Sequence, residues 1–214
     1  SAQSRFDSID QGNAVTGPVA LIDYGAGNLQ SVKNALKAAG AENICVTNDP
    51  AEVLSADRIV LPGVGAFAHC MGALSAIPGM VEALNEATGP GAKPFLGICV
   101  GMQLMAEAGE EHGRHAGLGW IKGTVRLVET TDATVKIPHM GWNDVVPTAP
   151  HPLIEAGEAY FLHSYAFDGG DVLATTSHGG PVVAAIGRDN RVGVQFHPEK
   201  SQDAGLRLIR NFLG

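Results

Sequence analysis

The segment Gly97-Ile98-Cys99-Val100-Gly101 sets a cysteine between two glycines, each one residue removed. An apolar run, Pro94 to Ile98, leads into it, and the stretch Met102 to Glu107 that follows is rich in helix formers. Strand, sharp turn and helix together form the context an exposed nucleophile needs. The flanking glycines relieve crowding at so tight a turn. Such a turn presents the sulfur at the carboxyl end of a sheet and at a helix N-terminus, where the dipole favours thiolate. A free cysteine is otherwise often a buried, inert residue. Cys45 and Cys70 lack this context and are read as structural.

A cysteine nucleophile needs a base or an imidazolium partner. Of the eight histidines, His197 stands out in Gly193-Val194-Gln195-Phe196-His197-Pro198-Glu199-Lys200. It follows an apolar strand, and Pro198 biases it towards extended geometry. In an extended segment residues two apart point the same way, so Glu199 can reach the imidazole and fix its tautomer. Acyl transfer also needs backbone N–H donors for a developing oxyanion. Pro62-Gly63-Val64-Gly65 follows a parallel strand and belongs at the same sheet edge; the Val64 and Val100 amides are the natural donors. His112 and His115 fall in a Gly- and Glu-rich loop without metal-site spacing. Gly25-Ala26-Gly27 imitates a dinucleotide fingerprint, but Gln30 stands where its third glycine belongs.

These groups require a parallel sheet to bring them together. Val19–Ile22, 44–47, 58–61 and 94–98 read as strands, alternating with helices over about 28–39, 50–54 and 80–86. That alternation indicates a parallel sheet covered on both faces. Strand-like stretches then follow at 119–128, 134–137, 142–146, 159–167, 171–176, 182–187 and 191–196, before a helix over about 203–213. The expected fold is α/β and flavodoxin-like, a parallel core with helices on both faces plus added antiparallel strands. Residues 1–17 are polar and aperiodic and read as a flexible tail; 18–214 read as one domain.

The 214 residues carry a formal charge of −8, with 14 basic against 22 acidic side chains. No basic run suits a nucleic-acid backbone. Three cysteines without C-x-x-C spacing suggest neither a disulfide framework nor zinc, and a reducing cytoplasm is the simplest setting. No apolar run reaches the ~20 residues of a membrane span.

The elbow at 97–103 and the segment 195–199 together resemble the class I, or triad, glutamine amidotransferases. More narrowly, several segments are similar to glutaminase subunits of imidazole glycerol phosphate synthase. They are Asp23–Leu29, Leu61–Phe67, Pro138-His139-Met140-Gly141-Trp142-Asn143, Phe161-Leu162-His163-Ser164-Tyr165 and Gln195–Gln202. The likeness runs from about residue 18 to the C-terminus; Val100 departs from it, since leucine is common there. It implies Cys99 as nucleophile, His197 as proton carrier and Glu199 as orienter. It implies glutamine held by Gln103, by the Gly63–Gly65 loop and by the His163-Ser164-Tyr165 backbone, with no cofactor and no metal. It also implies ammonia passing to a separate (β/α)₈-barrel cyclase in a heterodimer, with Asn28, His139, Met140 and Trp142 facing that partner. A glutaminase of another pathway, a cysteine peptidase or γ-glutamyl hydrolase on the same fold, and a redox-sensing cysteine domain remain as rival readings. The P-H-M-G-W-N segment favours the first reading over other pathways. A redox or chaperone-like domain would not need the H-x-E pair.

Overall fold

Residues 17–214 are described in a computed structural model; most of the expected tail lies outside them. Five strands pair in parallel: β1 Val19–Ile22, β2 Ile44–Thr47, β3 Arg58–Leu61, β4 Phe95–Ile98 and β13 Arg191–Val194. All four residues of β1 and of β4 are buried, as strands covered on both faces must be. The sheet continues through antiparallel β12 Pro181–Arg188, β11 Val172–Ser177, β8 His139–Pro147 and β9 Gly157–His163, in the order β2-β1-β3-β4-β13-β12-β11-β8-β9.

Connections between the parallel strands place the helices. Right-handed crossovers run outward from β1 to β2 in one direction and from β2 through β3 to β4 in the other. The helix α1, Leu29–Ala38, therefore lies on one face, and α2 Pro50–Ser55, α3 Phe67–Ser75 and α4 Met80–Ala87 lie on the opposite one. Contacts agree: α1 packs on the C-terminal helix α6, Gln202–Leu213, while α4 packs on α2 and α3. Val32, Ala35 and Leu36 form the buried stripe of α1, and Gly40 ends it at φ 109. Asp49 caps α2 by accepting from the Ala51 amide. Among the described residues no single helix is long and apolar enough to cross a membrane.

Three local expectations are corrected. The stretch after Cys99 is helical for one turn only, α5 Val100–Gln103, before the chain enters β5 Ala106–Glu110. Pairing overrides helix propensity there: β5 lies parallel to β7 Ile121–Leu127 and antiparallel to β6 Arg114–Ala116, and with β10 Tyr165–Gly169 they form a second, four-stranded sheet of order β10-β7-β5-β6. Residues 134–137 form no strand; the Thr134 and Val135 amides bond back to Asp132 in a turn. The stretch 159–167 is two strands in different sheets, β9 and β10 Tyr165–Gly169, broken at Ser164. Helix α3 and strands β5 and β6 were not expected at all. His112 sits in the β5–β6 turn at φ 53, and His115 lies on β6.

Candidate active site

The register of two strand pairs assembles the site. Ile98 of β4 lies beside Val194 of β13, so Cys99 and Gln195 leave the sheet as neighbours, and His197 follows two residues on. Leu61 of β3 lies beside Gly97, which brings Pro62–Gly65 to the same carboxyl edge. Ligands of open α/β sheets gather at this edge.

Cys99 occupies the elbow at φ 54, ψ −113, a strained conformation for a residue with a side chain. Its amide donates to Val194 O at 2.8 Å, and its carbonyl accepts from the amides of Met102 and Gln103 at 3.0 and 3.2 Å. The turn is possible because Gly101 has no side chain: a Cβ there would fall on the Leu61 carbonyl. The Cys99 sulfur is 3.7 Å from Gln195 Nε2 and 3.9 Å from the Leu162 carbonyl.

His197 is 3% exposed, and its Nδ1 lies 2.7 Å from Glu199 Oε1. The expected reach of Glu199 is present, by a different route. His197 itself is extended, but Pro198–Lys200 form a 3-10 turn that brings the carboxylate back to the Nδ1 edge of the ring. The His197 amide donates to Tyr160 O of β9 at 2.9 Å, and its carbonyl accepts from the Ser201 hydroxyl at 2.6 Å. Burial pulls the imidazole down. Hydrogen bonding and charge from the Cys99 sulfur and the Glu199 carboxylate outweigh it, and the group rises to about 9. At neutral pH His197 is thus an imidazolium held between the Cys99 sulfur and the Glu199 carboxylate, placed to pass a proton to a leaving group.

The Gly63 carbonyl accepts from the Val100 amide at 3.3 Å. A trans peptide sets its C=O and N–H in opposite directions, so the Val64 N–H of the same peptide points away from Val100. Neither expected donor is presented to the space above the sulfur in this conformation.

A cleft of about 270 Å³ opens over Cys99. Val64, Gly65, Val100, Gln103, His163, Ser164, Tyr165 and His197 line it, all of them expected. Gln103 Nε2 is spent on Tyr165 O and Gln195 Oε1, both at 3.1 Å. Glu111 on the β5–β6 turn also lines the cleft, with its carboxylate accepting from the Phe67 amide at 3.2 Å. Sequence reasoning missed Glu111 and Gln195. No local pattern marks Glu111, whose place depends on the second sheet. Gln195, two residues before His197, was passed over as part of a strand.

The β8–β9 ribbon explains the orientation of three of the four partner-facing candidates. Its pairs alternate faces: Met140 with Leu162 and Trp142 with Tyr160 point one way, His139 with His163 the other. Met140 and Trp142 are 66% and 48% exposed. His139 departs from its expected place at the surface: it is buried, with Nδ1 2.9 Å from His163 Nε2 and Nε2 3.1 Å from Asn143 Nδ2. His163 Nδ1 donates to Tyr165 O at 2.8 Å, which fixes one tautomer along the chain of bonds. Burial first, then charge repulsion among neighbouring imidazoles, lowers both His139 and His163 to about 4. Asn28 is half-buried at the head of α1, its side chain making no capping bond. Among the described residues no His, Cys, Asp and Glu cluster could hold a metal ion.

The glutamine amidotransferase class-I family model matches residues 20–214. The chain is 62% identical to imidazole glycerol phosphate synthase subunit HisH of Zymomonas mobilis, over 94% of this chain and 97% of that protein. It is 56% identical to the HisH subunit of Rhodospirillum rubrum, over 91% and 97%. A crystal structure of a glutamine amidotransferase superposes with a TM-score of 0.70 at 19% identity, covering 91% of this chain and 96% of that one. PurLQS from Thermotoga maritima matches with a TM-score of 0.68 at 19% identity, covering 92% of this chain and 98% of that one; both likenesses speak to the fold. The chain belongs to the class I glutamine amidotransferase family and, within it, to the HisH subunits of imidazole glycerol phosphate synthase.

Proposed function

We propose that this chain hydrolyses glutamine to glutamate and ammonia through Cys99, His197 and Glu199, as the glutaminase subunit of imidazole glycerol phosphate synthase. The observation that carries the reading is the buried Glu199–His197 pair beside a strained elbow cysteine, under an open cleft. The Cys99 sulfur attacks the side-chain carbonyl carbon of glutamine. His197 gives its proton to the departing nitrogen, ammonia leaves, and a glutamyl thioester remains. Water then attacks that carbonyl, giving its proton to His197, and the C–S bond breaks to release glutamate. Glu199 orients the ring throughout and stabilises the imidazolium in the steps where it carries the proton. The Glu111 carboxylate suits the α-ammonium of glutamine, and the Ser164–Tyr165 backbone and Gln103 hold the rest of its amino-acid end.

Ammonia passes directly to a (β/α)₈-barrel cyclase bound in a heterodimer, since free ammonia in water would be protonated and lost. There it joins a phosphoribulosyl-formimino aminoimidazole carboxamide ribonucleotide, giving imidazole glycerol phosphate and an aminoimidazole carboxamide ribonucleotide in histidine biosynthesis. The exposed ladder of Met140 and Trp142, with Asn28, faces this partner. The Gly63–Val64 peptide is the switch: at rest its carbonyl occupies the Val100 N–H, and rotation in the activated complex turns the Val64 N–H to the oxyanion. A structure of the active complex with glutamine bound and that N–H still turned away would defeat this part.

Glutamate release tests the whole. The chain alone, with the barrel, and with barrel plus ribonucleotide should show strong stimulation only in the last mixture. High turnover by the chain alone would instead identify a free-standing hydrolase.

A further inference from the structure

Two buried side chains outside the triad hold the loop that carries the oxyanion donor. The Tyr24 hydroxyl, just after β1, donates to the Pro62 carbonyl at 2.5 Å. The Cys70 thiol, within α3, donates to the Val64 carbonyl at 3.2 Å. Tyr24 is 6% exposed and Cys70 is fully buried. The two also lie within hydrogen-bonding reach of each other, so they form one cluster. Burial raises the Cys70 thiol to about 11, so it keeps its proton and stays a donor at neutral pH.

These two carbonyls belong to the peptides on either side of Gly63–Val64. With both flanking peptides fixed, the middle one can turn about ψ of Gly63 and φ of Val64 while its neighbours stay in place. Gly63 leaves room for nothing else: a Cβ there would lie 2.8 Å from the Tyr24 hydroxyl and 2.8 Å from the Gly101 amide nitrogen. The Gly63 carbonyl meanwhile engages Val100 through a longer bond of 3.3 Å.

We propose that Tyr24 and Cys70 are positioning residues that clamp the loop, confining its motion to rotation of the Gly63–Val64 peptide. The proposal rests on the peptide-switch reading above. Without the clamp the flanking peptides can move as well. Conformers that present the Val64 N–H then become reachable without the partner's signal, and the activated conformer is less well aligned. Basal glutaminase activity rises and stimulated activity falls, so their ratio drops from both ends.

The test is glutamate release by the full complex with the cyclase barrel, with and without its ribonucleotide. Cys70→Ala and Tyr24→Phe should each lower the ratio of stimulated to basal kcat by about two- to tenfold, as loss of one neutral hydrogen bond allows. Cys70→Ser, which restores a donor, should keep the ratio near that of the unaltered chain. A purely structural role would lower both rates by one factor and leave the ratio alone; that result, or no change in either variant, overturns the clamp. If the unaltered complex shows no stimulation, the peptide-switch reading fails, and the clamp with it.

Discussion

At the scale of single residues, the site is a sulfur, an imidazolium and a carboxylate in a line. Cys99→Ala should lower glutamate release by about a thousandfold or more in the full complex, measured as initial rates at saturating glutamine. The His197–Glu199 pair makes a second prediction. The folded-state value of His197, raised to about 9, lies above the ordinary histidine value of about 6.5. Its pairing therefore contributes stability that is fully present below pH ~6.5 and is lost as pH rises through about 9. Urea denaturation at several pH values should show Glu199→Gln losing less stability over that interval than the unaltered chain. An identical decline in both would show that the carboxylate does not hold the imidazolium. Cys99, His197 and Glu199 were legible as candidates in the sequence because each sits in a short local pattern. Glu111 was not, because its approach to the cleft depends on the pairing of β5 with β6 and β7, far from any signal around residue 111. For His139 the residue type was informative and its direction was not: strand alternation turns it inward, away from Met140 and Trp142.

At the scale of elements, the elbow depends on the close approach of α5 to β3. Gly101→Ala would push a methyl into the Leu61 carbonyl and should destabilise the fold by about 3 kcal/mol or more, read as a lower urea midpoint at unchanged m. The β8–β9 ribbon is sensitive to acid. His139 and His163, lowered to about 4, are buried neutral, so their contribution is present above pH ~6.5 and is lost as pH falls towards 4. Hydrogen exchange in 139–147 and 157–163 should accelerate relative to the parallel core over that range, once corrected for intrinsic rates. A uniform change across the molecule would contradict it. The parallel strands were legible because each is a short apolar run closed by glycine, proline or a polar turn. The second sheet was hidden, since Ala106–Glu110 has the composition of a helix and becomes a strand only through its partners. Likewise one apolar stretch, 159–167, hid a change of sheet at Ser164.

At the scale of the whole molecule, the parallel core delivers three loops to one edge, and the antiparallel ribbon returns to close over them through the His197–Tyr160 backbone bond. The same ribbon carries the exposed Met140 and Trp142, and Met140 pairs across it with Leu162, which lines the cleft. Trp142→Ala should weaken binding of the cyclase barrel by about 2 kcal/mol, measured by calorimetry, while leaving the unfolding midpoint of the chain within error. No change in affinity would move the partner face elsewhere. The central claim is that Cys99 attacks the side-chain carbonyl of glutamine. Its most direct test is exposure of the ribonucleotide-activated complex to a glutamine analogue with an electrophilic carbon in place of the amide, followed by peptide mass analysis. The account predicts labelling at Cys99 alone, blocked by glutamine and lost in His197→Ala. Labelling at Cys45 or Cys70 in preference to Cys99, or labelling of Cys99 that glutamine does not compete away, would contradict it.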